Sequence, residues 1–88
     1  FDIGGGSGRI AIPLYRDGHR VLVGEIDALA LKILHHRESA IPSILVSGEA
    51  TRYPIRASSL DCVLCLGVPS LIESDWFFSE CNRMLKWN

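Results

Sequence analysis

The stretch Asp2-Ile3-Gly4-Gly5-Gly6-Ser7-Gly8 constrains this chain most. An acidic residue and an apolar one are followed by glycine at Gly4, Gly5, Gly6 and Gly8, the pattern of a strand that passes through a tight turn into a helix. Glycine takes positive φ without strain, and it lets a ligand approach the main chain with no Cβ in the way. In an open α/β sheet the crevice at the carboxyl ends of the strands is where ligands bind. The loop therefore asks what it holds.

Its spacing separates three answers. A phosphate-binding P-loop ends in Gly-Lys-Ser/Thr, whereas Gly8 is followed by Arg9-Ile10. A dinucleotide loop needs G-x-G-x-x-G, and counting from Gly4 the last position is Arg9. Asp2 in front of the turn would repel a pyrophosphate and suits a ligand carrying a cation and hydroxyls. Glu25 follows the second strand, about twenty residues on, where a carboxylate accepts hydrogen bonds from both ribose hydroxyls. Glu49 follows the third strand and can face the base of a nucleoside; a solvated loop carboxylate fits it equally well.

The remaining pattern alternates strands and helices. Phe1-Asp2-Ile3 reads as the tail of a strand, and a helix is expected from Gly8 or Arg9 to Asp17-Gly18, with Pro13 inside it. Residues 20–24 form a continuous apolar run of strand length, closed by Glu25. Asp27 is placed to cap a second helix, whose apolar positions Leu29, Leu31, Ile33 and Leu34 run on to about Arg37. Residues 43–47 read as a third strand, 48–59 as a long polar connection, and 60–66 as a fourth strand ended by Gly67-Val68-Pro69. Ser74 or Asp75 can cap a last helix carrying Phe77, Phe78, Cys81, Met84 and Leu85. This order predicts a doubly wound α/β fold with a mainly parallel sheet.

Composition narrows the functions. Nine basic and ten acidic residues in 88 give a net charge of -1, which offers no basic surface for nucleic acid. No apolar run approaches the ~20 residues of a membrane span. Three cysteines do not suggest a disulfide framework, and a cytoplasmic, reducing setting is the default expectation. Cys62 and Cys65, three apart on a strand, would point to opposite faces and read as buried structural thiols. His19, His35 and His36 have no metal partners at ligand spacing. Trp76, Phe77 and Phe78 read as core packing. With a clipped first strand and no strand after the last helix, the chain is expected to be part of a longer protein and poorly stable alone.

These residues resemble the class I S-adenosylmethionine-dependent methyltransferases. Asp2 to Gly8 matches that family's first motif without a gap. Val23-Gly24-Glu25-Ile26-Asp27 resembles its acidic second-strand motif, and Gly48-Glu49-Ala50-Thr51-Arg52-Tyr53-Pro54-Ile55 its third segment. Ser59-Leu60-Asp61-Cys62-Val63 is similar to its fourth strand, and Glu80-Cys81-Asn82-Arg83-Met84-Leu85-Lys86 to its closing helix. Glu replaces the commoner Asp at two positions, and Trp87 stands where Pro is usual.

The resemblance implies a Rossmann-like methyltransferase topology, truncated at both ends, with residues 1–88 the cofactor-binding part of one domain. It implies S-adenosyl-L-methionine as cofactor and a small-molecule acceptor. Gly4, Gly5 and Gly6 would pass the methionine part of the cofactor, with Asp2 nearby. Glu25 would hold the ribose, Ile26 would pack on adenine, and Glu49 with Ala50 would meet the adenine amino group. Leu66 would face the sulfonium side. No residue stands out as a general base. The readings left beside this one are an NAD-dependent oxidoreductase and a non-catalytic binding module of the same fold.

Overall fold

A computed structural model describes residues 1–87; Asn88, the end of the closing segment, lies outside them. Eight elements follow in the order β1 (Asp2–Ile3), α1 (Ala11–Arg16), β2 (Val23–Glu25), α2 (Ala28–Arg37), β3 (Ser43–Leu45), β4 (Leu64–Cys65), α3 (Pro69–Ile72) and α4 (Phe77–Met84). The strands form one sheet in the order β3-β2-β1-β4. Every pairing is parallel, with Asp2 opposite Val23 and Leu64, and Val23 opposite Ser43. The chain moves outward from β1 to β3, then returns to the other side of β1. That reversal opens a crevice between β1 and β4 at the carboxyl ends of the strands.

Apolar side chains gather in two clusters. Ala11, Ile12, Val21, Val23, Leu31, Leu34 and Ile41 form one, bringing α1 and α2 onto the sheet. Ile3, Tyr53, Phe77, Cys81 and Met84 form the other, under α4. Consecutive strand residues point to opposite faces, so Asp2 and Ile3 of β1 face different layers.

Several elements differ from the sequence expectation, each for a local reason. α1 begins at Ala11, with residues 6–10 in turns. Pro13 therefore falls in the first helical turn, where a missing N–H breaks no helical hydrogen bond. Leu31 and Leu34 of α2 are buried, but Leu29 and Ile33 are exposed, because only one stripe of the helix meets the sheet. β4 is shorter than residues 60–66. Leu60 pairs with Leu85 beyond α4, accepting from Lys86 N–H at 2.8 Å, and so is drawn away from the ladder.

The helix α3 was not anticipated. Its signal is Pro69 at the first helical turn, where proline's fixed φ suits a helix start. The expected cap at Ser74 or Asp75 is also corrected. Ser74 donates its hydroxyl to Leu71 O at 2.6 Å, so it serves the end of α3, and α4 starts after Trp76 with no side-chain cap. Phe77 is buried as expected, but Phe78 is 64% exposed on the outer side of α4. Cys62 is exposed and Cys65 half-buried, so the expectation of two buried thiols is corrected; Cys81, on the inner side of α4, is buried, and all three are free.

Candidate functional site

A cavity of about 310 Å³ lies over the carboxyl ends of all four strands. Gly4 enters it after β1, Glu25 at the end of β2 with Ile26 after it, Val46 to Gly48 after β3, and Gly67 and Val68 after β4. Ala50 and Tyr53 reach it from the long connection, and Ser70 and Leu71 from α3. The lining is mostly aliphatic, glycine and backbone, with Glu25 its single carboxylate.

The glycine turn is built to hold Glu25. Gly6, at φ 59°, donates its N–H to Glu25 Oε1 at 2.9 Å. Oε2 accepts from Ile26 N–H at 2.8 Å and Asp27 N–H at 2.9 Å. An ionised carboxylate offers about four acceptor positions. Three are taken, and Oε1 keeps a position for a ligand hydroxyl. Gly4, at φ 71°, tolerates no side chain: a Cβ there would stand 2.6 Å from Val68 Cγ2. The close approach of β1's turn to the loop after β4 forms that corner of the cavity.

The other glycine amides of the loop are also occupied. Gly4 and Gly5 donate to Gly24 O at 2.8 and 3.4 Å, and Gly8 donates to Gly5 O at 3.2 Å. A pyrophosphate cradle needs such N–H groups free and turned toward the ligand. Here they are bonded within the protein, beside a carboxylate.

Asp2 is 3% exposed and lies under the turn, with Oδ2 2.8 Å from where a Gly5 Cβ would stand. Burial pushes its carboxyl above the usual value of 3.8; the amino terminus opposes this and Glu25 adds to it. Asp2 supports the turn from below and is not among the cavity-lining residues.

Of the residues singled out from the sequence, Gly4, Glu25, Ile26 and Ala50 line one cavity. Gly6 contributes through its bond to Glu25, and Gly5 packs over Asp2 and Val23. Glu49 is exposed outside the lining, its N–H donating to Ser47 Oγ at 3.3 Å. Leu66 is 58% exposed at the rim, and its neighbour Gly67 takes the lining position. Among the lining residues that sequence reading missed are Tyr53, Val68, Ser70 and Leu71. Tyr53 stood in an irregular stretch with no periodicity to place it, whereas Pro69 would have announced the turn that carries the other three. No group of three or more metal-binding side chains occurs among the described residues.

The family model described as "Methyltransferase domain" matches residues 1–88. This chain belongs to that methyltransferase family. No curated protein matches it. A crystal structure from Methanococcus maripaludis, provisionally designated an S-adenosyl-L-methionine-dependent methyltransferase, superposes with a TM-score of 0.76 at 22% identity. The match covers 97% of this chain and 42% of that one. The methyltransferase domain thus shares the α/β fold of that structure over rather less than half its length. Among the described residues no helix of the domain is long and apolar enough to cross a membrane.

Proposed function

We propose that this chain is the cofactor-binding part of an S-adenosyl-L-methionine-dependent methyltransferase acting on a small-molecule acceptor. The observation that carries this reading is the Glu25 carboxylate, fixed by three backbone N–H groups at the edge of an otherwise uncharged cavity. It offers an acceptor to a ribose hydroxyl. Ile26, Val46 and Ala50 supply apolar surface of the kind a purine ring covers. Gly4 and the turn behind it leave room for the chain beyond the ribose, and the Glu25 carboxylate favours a cation there.

When bound, the cofactor supplies a methyl group on a positively charged sulfur. Glu25 would hold it at the ribose and Ile26, Val46 and Ala50 at the purine, with that methyl group presented for displacement by the acceptor. The domain's own part is binding and alignment, which is where such a displacement gains most. The occupied amides of the glycine turn weigh against a dinucleotide, whose pyrophosphate would need them.

Isothermal titration of the full-length protein with S-adenosylhomocysteine and with NAD tests the reading. Binding of S-adenosylhomocysteine alone is the expected result; binding of NAD alone would overturn it. Cofactor binding with no methyl transfer across a broad acceptor panel would instead indicate a binding module of the same fold.

A further inference from the structure

The stretch from Val46 to Val63 contains no helix or strand, yet it supplies Val46, Ser47, Gly48, Ala50 and Tyr53 to the cavity. An irregular segment holds one conformation only where its backbone groups find partners. Here α4 provides them. Glu80, 7% exposed, accepts Tyr53 N–H on Oε2 at 2.6 Å. Arg83 Nη1 donates to Ile55 O at 2.7 Å and Nη2 to Tyr53 O at 3.1 Å. The same guanidinium grips Glu80, Nε to Oε1 at 2.6 Å and Nη2 to Oε2 at 2.8 Å. Farther along, Ser58 N–H donates to Arg83 O, and Ser59 and Leu60 N–H donate to Met84 O. The loop thereby also satisfies carbonyls that the end of a helix leaves open.

We propose that Glu80 and Arg83 are positioning residues for the nucleoside end of the cleft, acting through the backbone of Tyr53 to Ile55. Neither side chain lines the cavity. Tyr53 does, and its ring is held edge-on to Phe1 at 5.3 Å and tilted against Trp76 at 6.1 Å. Three residues earlier Ala50 forms the adjoining wall. Glu80 and Arg83, one helical turn apart, present a carboxylate and a planar fork to a single bend of the loop. Lysine has a point charge and no fork, so it cannot hold both carbonyls and the carboxylate together. The Arg83 bond also holds the Glu80 carboxyl below its usual range, which keeps it ionised as an acceptor. The proposal rests on the cofactor reading above for the identity of the ligand, but not for the clamp itself.

The test uses the full-length protein with Arg83→Lys and Glu80→Gln, each alone and with Tyr53→Ala. Amide exchange is read across residues 50–58 and across β1–β2, and S-adenosylhomocysteine affinity by titration. Arg83→Lys is expected to speed exchange in 50–58 by about tenfold or more, to leave β1–β2 unchanged, and to weaken binding by about tenfold, as for one lost charge-assisted hydrogen bond. Glu80→Gln keeps an oxygen for Tyr53 N–H and should fall between wild type and Arg83→Lys. With Tyr53 already alanine, Arg83→Lys should weaken binding no further. Equal acceleration of exchange everywhere, or unchanged affinity per folded molecule, would overturn the proposal. If Arg83→Lys does not fold, the same criteria apply to Glu80→Gln. A wild-type protein that binds no S-adenosylhomocysteine would refute the cofactor reading; unchanged exchange in 50–58 would still refute the clamp.

Discussion

Glu25 joins structure and ligand at a single side chain. It ties the glycine turn to the start of α2 and keeps one acceptor position on Oε1. Replacing it by Ala removes that acceptor and frees three N–H groups at once. Glu25→Ala should weaken S-adenosylhomocysteine binding by about tenfold or more, the scale of one hydrogen bond to a charged group; titration calorimetry checks this. Gly4 makes a different demand. A methyl group there would meet Val68 Cγ2 at 2.6 Å on a backbone with φ of 71°. Gly4→Ala should lower stability by about 1–3 kcal/mol, the scale of a residue held in a sparsely populated backbone region, measured by urea unfolding. Both roles were partly legible, since glycine density and an acid after the second strand are local signals. That Glu25 would be bonded to Gly6, and Asp2 tucked beneath Gly5, depends on strand register, which local pattern does not contain.

The elements divide by whether their signals are local. Asp27 was readable as a cap, and its Oδ1 accepts from Leu29 N–H at 2.9 Å at the start of α2. Asp27→Ala should cost about 1 kcal/mol, as for other lost N-caps, visible as a lowered thermal midpoint. Pro69 is an equally plain signal for α3, although Gly67-Val68-Pro69 also reads as the end of a strand. β4 was overestimated because its apolar run continues through Leu60, whereas strand pairing depends on having a neighbour. β1 supplies one only at Leu64 and Cys65, and α4's end claims Leu60. Ser74 shows the same competition: a good N-cap residue was already used by the preceding helix.

At the scale of the whole molecule, the two apolar clusters set stability and two buried acids shape its dependence on acid pH. Leu34 is fully buried among the residues under α1 and α2. Leu34→Ala should destabilise by about 2–5 kcal/mol, measured by chemical unfolding. The two acids act in opposite directions. Glu80 has a depressed folded-state pKa, chiefly from Arg83, so its stabilisation is present above the usual 4.5 and is lost as pH falls through the depressed value. Asp2 has a raised folded-state pKa, chiefly from burial, so its protonation as pH falls favours the folded state. Unfolding free energy should therefore first hold or rise on acidification, then fall. Asp2→Asn should remove the first limb and Glu80→Gln the second, in urea melts taken across pH. The parallel α/β class was legible because strands alternate with helices. The attachment of residues 53–60 to α4 was not legible, because it joins the side chains of Glu80 and Arg83 to backbone groups of a distant segment, and backbone groups carry no sequence signal.

The walls of the cleft are bonded to one another: the turn to Gly24 and Glu25, and the long connection to α4. A site assembled in this way has little to rearrange when a ligand arrives. Its association kinetics should show one phase, with an observed rate rising in proportion to ligand concentration and reaching no plateau. Trp76, in contact with Tyr53 at the cavity wall, provides the fluorescence by which stopped-flow mixing can read it.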